Sequence, residues 1–311
     1  MDNDQLRQPF FSVVIPLYNK ANQIGKTLES VFGQTFTDYE IVIVDDGSTD
    51  NSAAEVEKIM NRNQETNFPN IRLICQLNAG VSAARNRGIE EARGKYIALL
   101  DGDDEWKPEY LATQAELIRK YPECEVFATN YEFYNGKTIS TILTKIKFHG
   151  IDGIMDNYFQ VSSCSNPPIW TSAVCIKKLA FESIDGFPVG IKQGEDLLTW
   201  ARLASQYKIA YNLTPLAIFK QEDINRFGKP KRIPPKDDYV GEELLNLKKE
   251  FNPPYINQYI SFWHKMRSVL FWRLGEKKQG RKEAVLAIRF NPLNYKAYAL
   301  LILNTIPLRK K

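Results

Sequence analysis

Four short apolar runs, each followed by a stretch of helical spacing, constrain the fold of this chain more than any other feature. They are Phe11–Pro16 (FSVVIP), Tyr39–Val44 (YEIVIV), Ile71–Gln76 (IRLICQ) and the run that begins at Tyr96 (YIALL). A strand wetted on one face alternates polar and apolar residues, whereas unbroken apolar runs suit strands covered on both faces of a parallel sheet. Between the runs, Ala21–Gln34 places Ile24, Leu28, Val31 and Phe32 on one helical face. A second helix, capped by Ser48, Thr49 or Asp50, is expected to end near Arg62, and a third over Val81–Ala92, with Gly94 as its C-cap. Parallel neighbours need such crossovers, so the expected fold is α/β, a doubly wound sheet.

The pattern changes after Lys120. Glu125–Tyr134 and Thr138–Lys147 read as a hairpin around Asn135-Gly136, Thr171–Ile176 and Lys208–Phe219 as strands, and Glu195–Gln206 as a helix. The sheet should therefore be mixed but mainly parallel. Arg226–Lys236 (RFGKPKRIPPK) is basic and proline-rich, which divides the chain into a sheet-forming domain, 1–225, and a basic linker with a helical C-terminal region, 226–311. Charge divides at the same place: residues 1–225 carry a net −8 and residues 226–311 a net +12. The bias points the tail toward an anionic partner; no nucleic-acid-binding module accompanies it, which leaves an anionic membrane surface or a membrane-bound partner, or else packing of its apolar residues on the sheet domain with a solvated basic face.

Other classes are excluded on composition. With 43% hydrophobic and 25% charged residues the chain is that of an ordinary globular protein. The N-terminal MDNDQLRQPF lacks the layout of a signal peptide, and no apolar run is long enough to span a bilayer, so a cytoplasmic location is expected, peripheral on the membrane if the tail docks. Four scattered cysteines without a Cys-x-x-Cys pair, and two histidines, leave little for a zinc site.

Chemistry is expected beyond the carboxyl ends of the strands, where sheets of this kind bind ligands. The Tyr96 run leads straight into Asp101-Gly102-Asp103-Asp104, and carboxylates so crowded call for a cation, Mg²⁺ or Mn²⁺ being the natural hard-ligand choice. Pro16-Leu17-Tyr18-Asn19 and Asp45-Asp46-Gly47-Ser48 end the first two strands and should lie side by side, offering carboxylates to ring N–H or ribose groups and an aromatic face to a base. The absence of G-x-G-x-x-G and G-x-x-x-x-G-K-[ST] argues against dinucleotide and P-loop phosphate binding. Taken singly, the same residues also suit turn and helix-cap chemistry, as do Glu195 and Asp196 at a helix start.

Five strings taken together, SVVIPLYNK, IVDDGSTD, NAGVSAARNRGI, LLDGDDEW and FPVGIKQGEDLLTW, resemble an inverting family-2 glycosyltransferase of the GT-A fold, over Ser12 to about Phe219. No Q-x-x-R-W string follows Asp196, so the resemblance is to non-processive bacterial members. It implies transfer of a sugar from a nucleotide diphosphate-sugar donor, a UDP-sugar favoured, to a saccharide or lipid-linked acceptor, in cell-surface polysaccharide biosynthesis. Residue by residue it implies that Asp46, with Asp45 beside it, reads the base next to Pro16 and Tyr18. Arg85 and Asn86 would lie by the donor, Arg85 on phosphate or on the acidic loop. Asp101 and Gly102 would face the ribose, Asp103 would hold Mn²⁺ or Mg²⁺, with Asp104 a second candidate, and Asp196 would be the general base. Glu195, Trp170 and Lys220 are candidate helpers or acceptor contacts. In one place the chain departs from the pattern: Ile218–Asp223 contains no histidine, and Lys220 or Arg226 would stand in for it. A nucleotidyltransferase and an inactive nucleotide-sugar-binding scaffold are the alternatives.

Overall fold

The computed structural model describes residues 8–63, 70–220 and 233–305. Its elements run β1 (Phe11–Leu17), α1 (Ile24–Phe32), β2 (Tyr39–Asp45), α2 (Ser52–Asn63), β3 (Ile71–Cys75), α3 (Val81–Glu91), β4 (Tyr96–Leu99), β5 (Glu105–Trp106), α4 (Tyr110–Lys120), β6 (Val126–Tyr134), β7 (Thr138–Ser140) and β8 (Asp152–Ile154). Then follow α5 (Tyr158–Cys164), β9 (Val174–Lys177), α6 (Lys178–Glu182), α7 (Glu195–Gln206), β10 (Ile209–Lys220), α8 (Tyr239–Glu250), α9 (Ile256–Leu274), α10 (Lys277–Phe290) and α11 (Tyr295–Leu303). One sheet holds all the strands in the order β3-β2-β1-β4-β9-β6-β10-β5, with β7 on β6 and β8 on β10. The pairs β1–β2, β2–β3, β1–β4 and β6–β10 are parallel, and β9 lies antiparallel between β4 and β6. The mixed, mainly parallel α/β sheet expected from the apolar runs is what forms.

The unbroken runs are explained by the two cores they separate. Val14, Val42, Val44, Ile97 and Leu99 point to one face, under α3, α5 and α7. Val13, Ile15, Ile41, Ile43 and Ala98 point to the other, under α1, α2 and α4. Every second residue of β1, β2 and β4 thus meets a different helical layer, and neither face tolerates a polar residue without a partner. The exceptions have partners: Ser12 Oγ donates to Glu40 Oε1 at 2.7 Å and accepts from the Gly94 N–H at 2.8 Å.

The C-terminal helices belong to the first of these cores. Val240, Leu244 and Leu247 of α8 and Ile256, Tyr259, Ile260 and Trp263 of α9 pack in the same cluster as the sheet residues. Most of the basic stretch chosen as a boundary, including Arg226, lies outside the described residues, as do Arg309, Lys310 and Lys311. Within α11, Ala297 and Leu300 are buried, while Tyr295, Tyr298, Ile302 and Leu303 are exposed. Among the described residues no helix is long and apolar enough to cross a membrane.

Three local expectations are corrected. The strand expected over Thr138–Lys147 stops at Ser140, because Thr141 Oγ1 turns back to the Tyr131 carbonyl (2.8 Å) and the Ile142 N–H goes to Asn166 Oδ1 (3.2 Å). Thr171–Ala173 is a 3₁₀ turn and β9 starts only at Val174. Gly94 does not cap α3, which ends at Ala92 in extended backbone; a Cβ at Gly94 would lie 2.5 Å from Ser12 N and 2.6 Å from Phe11 C. Glycine is needed there for close approach to β1.

Two glycine substitutions should therefore act with opposite sign. Gly94→Ala must push β1 aside and should cost about 1–3 kcal/mol. Gly25→Ala in α1, with nothing within 4 Å of the new methyl group, should stabilise by up to about 1 kcal/mol through helix propensity. Denaturant unfolding of the two variants checks both signs.

Candidate active site

The carboxyl ends of β1, β2 and β4 surround a cleft of about 500 Å³. The β1 and β2 loops are bound to each other, as their adjacency requires. Asn19 Oδ1 accepts the Thr49 N–H at 2.8 Å, Ser48 Oγ accepts the Asn19 N–H at 3.0 Å and Ser52 Oγ accepts the Lys20 N–H at 2.7 Å. Of the Asp45-Asp46 pair, Asp45 turns inward and accepts from Ser48 Oγ and N. Asp46 lines the cleft, its carboxylate held by Gln76 Nε2 (2.8 Å), Ala79 N (2.9 Å) and Gly80 N (2.8 Å). Pro16 and Tyr18 complete this end, with Tyr18 half exposed at the mouth.

The acidic loop after β4 distributes its three carboxylates differently. Asp101 faces the cleft and accepts from Arg85 Nη2 at 2.6 Å. Asp103 also faces it, paired with Lys20 Nζ at 2.5 Å. Asp104 is fully buried beneath the loop, accepting from Ser172 Oγ at 2.5 Å and from the Lys220 N–H at 3.2 Å. Burial, followed by the Asp101 charge, holds the Asp104 carboxyl well above the usual carboxylate range. Arg85 is 5% exposed, lies 5.0 Å over the Phe187 ring, and leaves Nε and Nη1 without hydrogen-bond partners. Burial opposes its charge, but Asp101 first, then Asp196 and Glu195, more than offset it and raise its pKa.

Glu195 and Asp196 open α7 and line the same cleft, as do Gly102 and Trp170. Burial pushes the Asp196 carboxyl up, while its bond from the Leu197 N–H (2.7 Å) and the Arg85 charge pull the other way. Trp170 is fixed by an aromatic group: its ring stacks on Tyr131 at 5.4 Å and lies 4.6 Å from Phe219.

Ten of the residues singled out from sequence thus meet in one cleft: Pro16, Tyr18, Asp46, Arg85, Asp101, Gly102, Asp103, Trp170, Glu195 and Asp196. Four do not line it. Asp45 and Asp104 are bound within their loops as described. Asn86 exchanges two 2.8 Å hydrogen bonds with the Phe187 backbone and so pins the Gly186-Phe187-Pro188 turn. The Lys220 ammonium is paired with Glu105.

Residues 12–160 match the family model described as glycosyl transferase family 2. The chain carries a family-2 glycosyltransferase domain. It is 30% identical over 283 residues to an uncharacterized glycosyltransferase of Rickettsia felis, an alignment covering 88% of this chain and 43% of that one. To the uncharacterized glycosyltransferase YibD of Escherichia coli K12 it is 52% identical over 97 residues, 31% of this chain and 27% of that one. The chain thus spans less than half the length of these curated relatives. Among solved structures, residues 1–349 of TarS from S. aureus, in complex with UDP-GlcNAc, superpose with a TM-score of 0.65 at 20% identity, covering 94% of this chain and 88% of that one. At that coverage the likeness in fold takes in the C-terminal helices as well as the sheet.

Several residues of this family-2 site were not singled out from sequence. Lys20 stands inside the SVVIPLYNK string, and Asn78, Gly80 and Val81 inside NAGVSAARNRGI, so the strings that carry the resemblance contained them. Ser172 carried no signal, since its importance lies in contacts to Asp101 N (3.1 Å) and Asp104 made across 68 or more residues.

Proposed function

We propose that the protein transfers a sugar from a nucleotide diphosphate-sugar, a UDP-sugar favoured, to a saccharide or lipid-linked acceptor hydroxyl with inversion at the anomeric carbon, in cell-surface polysaccharide biosynthesis. The observation that carries the reading is the convergence of Asp196, the buried Arg85 guanidinium and the Asp101–Asp103 loop on one cleft. Asp46 and Tyr18 at the far loops take the nucleotide base in this reading, and Asp101 the ribose. Arg85, which lines the cleft with its guanidinium held by Asp101, supplies the positive charge that a diphosphate calls for.

Asp103 offers the hard oxygen donors that Mn²⁺ or Mg²⁺ requires, and it already attracts a cationic side chain, Lys20. When bound there, such an ion supplies charge neutralisation to a departing diphosphate. Asp104, enclosed and engaged on both oxygens, is assigned to holding the loop rather than to the ion.

In the transfer itself, the acceptor oxygen forms its bond to the anomeric carbon as the bond to the diphosphate oxygen breaks, releasing nucleoside diphosphate. The acceptor proton passes to the Asp196 carboxylate. An elevated carboxyl pKa makes Asp196 a stronger base than an exposed aspartate, which is what general-base work near neutral pH asks for.

Asp196→Asn should therefore lower turnover by about 10²–10⁴-fold while leaving nucleotide affinity within about twofold. Because the ionised form must accept the proton and the pKa of the free protein is raised, kcat/KM of the unaltered protein should fall on the acid side with an apparent pKa above the ordinary aspartate value of about 4. Near-normal turnover by the variant would remove Asp196 from the mechanism.

Asp103→Ala should abolish transfer with the melting temperature nearly unchanged, and excess chelator should do the same to the unaltered enzyme. Full activity in chelator would refute the metal assignment.

The tail docks, in this reading, on an anionic membrane surface. The support is the +12 charge of residues 226–311 together with the exposed Leu293, Tyr295 and Ile302. Co-sedimentation with anionic vesicles should be strong at low salt and weak at high salt; no binding at low salt leaves these residues a packing role alone.

A further inference from the structure

A second cavity, of about 530 Å³, adjoins the donor cleft and shares three wall residues with it, Trp170, Glu195 and Asp196. Its remaining wall is formed by Pro167 and Ile169 ahead of β9, by Gln193, Gly194 and Leu197 around the start of α7, and by one side of α9. The lining is apolar: Ile169, Leu197, Trp263, Met266, Val269 and Leu270 dominate it. The two cations that reach it are engaged elsewhere. Arg267 Nε lies 3.0 Å from Glu283 Oε1 and 3.3 Å from Asp238 Oδ2, and Lys265 Nζ lies 4.5 Å over the Phe262 ring. Burial, followed by the Lys296 charge, lowers the Lys265 pKa.

The wall is held by specific contacts. Gly194, at φ +82, precedes Glu195 and Asp196, and a Cβ there would lie 2.6 Å from Trp263 Cη2. Trp263 Nε1 donates to Asp238 Oδ1 at 3.0 Å, and Tyr259 Oη donates to the Leu197 carbonyl at 3.2 Å. Helix α9 therefore buttresses the turn that carries Asp196 and at the same time encloses the space on its other side.

We infer that this cavity receives the acceptor, and that the acceptor is a saccharide carried on an apolar aglycone whose chain lies along Met266, Val269 and Leu270. The inference rests on Asp196 being the base. A hydroxyl must reach Asp196 without displacing the donor, and this cavity opens onto the same carboxylate. The indoles of Trp170 and Trp263 add aromatic wall that suits the C–H groups of a sugar ring, while the aliphatic wall beyond them exceeds what a free sugar covers. An anionic headgroup would meet the Glu195 and Asp196 carboxylates in the shared wall, with Arg267 already paired to Glu283 and Asp238. Acceptor choice is thereby shared between α9 of the C-terminal helices and the segment between β6 and α7 that carries Ile169 and Trp170.

The test is calorimetric titration of the full chain with methyl β-D-glucoside and with octyl β-D-glucoside below its micelle concentration. Burial of the alkyl chain should make the octyl compound bind at least about tenfold tighter than the methyl compound. Met266→Gln and Leu270→Gln, both at partly exposed positions, should each reduce that advantage to about threefold or less, with unchanged melting temperature as the check on folding. Equal affinity for the two glucosides, or an octyl advantage untouched in both variants, overturns the proposal. The measurement needs no turnover: an active Asp196→Asn enzyme with the octyl preference intact would remove the base assignment and leave the cavity as an apolar-glycoside site.

Discussion

A carboxylate enclosed at the carboxyl edge of the sheet joins parts of the chain that would otherwise have no reason to meet. Asp104 accepts from Ser172, just ahead of β9, and from the Lys220 N–H at the end of β10, and Ser172 Oγ also accepts the Asp101 N–H. A buried carboxyl is costly unless its oxygens are satisfied, so these contacts are satisfied together or not at all. With Asp104 fixed below, Asp101 and Asp103 are left facing the cleft, where Arg85 and Lys20 meet them. Trp106 Nε1, donating to the Ser172 carbonyl at 2.6 Å, closes the same junction from β5.

The C-terminal helices extend this logic to the other wall of the site. Trp263 lies against Gly194 and is held by Asp238, which also caps α8 through the Gly241 N–H at 3.1 Å. Behind it, Arg267 pairs with Asp238 and Glu283, and His264 Nδ1 lies 2.7 Å from Glu283 Oε2. Asp238, His264 and Glu283 are close enough to ligate a metal, but the guanidinium between the two carboxylates already supplies the positive charge. Breaking such a buried network by removing one partner is typically costly, which suits it to fixing the position of α9 against the catalytic turn.

Much of the site was legible before any coordinates because its residues sit at strand ends. Pro16 lies near the end of β1, Tyr18 and Asp46 just past β1 and β2, and Asp101 and Asp103 in the loop after β4, and a parallel sheet delivers such positions to one edge. What could not be read was the division of labour among neighbours. Asp45 and Asp46 are adjacent and chemically identical, yet one turns to Ser48 and the other to the Ala79-Gly80 backbone. Asn86 follows Arg85 on α3, but the helical rotation between them sends one to the acidic loop and the other to the Phe187 turn.

The sequence by itself determined the sheet, its helical layers and the acidic edge, because periodicity and burial act over a few residues and leave a local trace. It likewise determined the split in charge between the two parts of the chain. Only the tertiary structure decided that Asp104 is enclosed, that Gly94 serves close approach rather than a helix end, and that α9 shares a core with the sheet and faces Asp196 across a second cavity. Each of these depends on contacts between residues far apart in the chain, such as Asp104 with Ser172 or Gly194 with Trp263. The physical cause is common to all three: the cost of burying a charge, or of placing a methyl group where a backbone or an indole already lies, exists only once the distant partner has arrived.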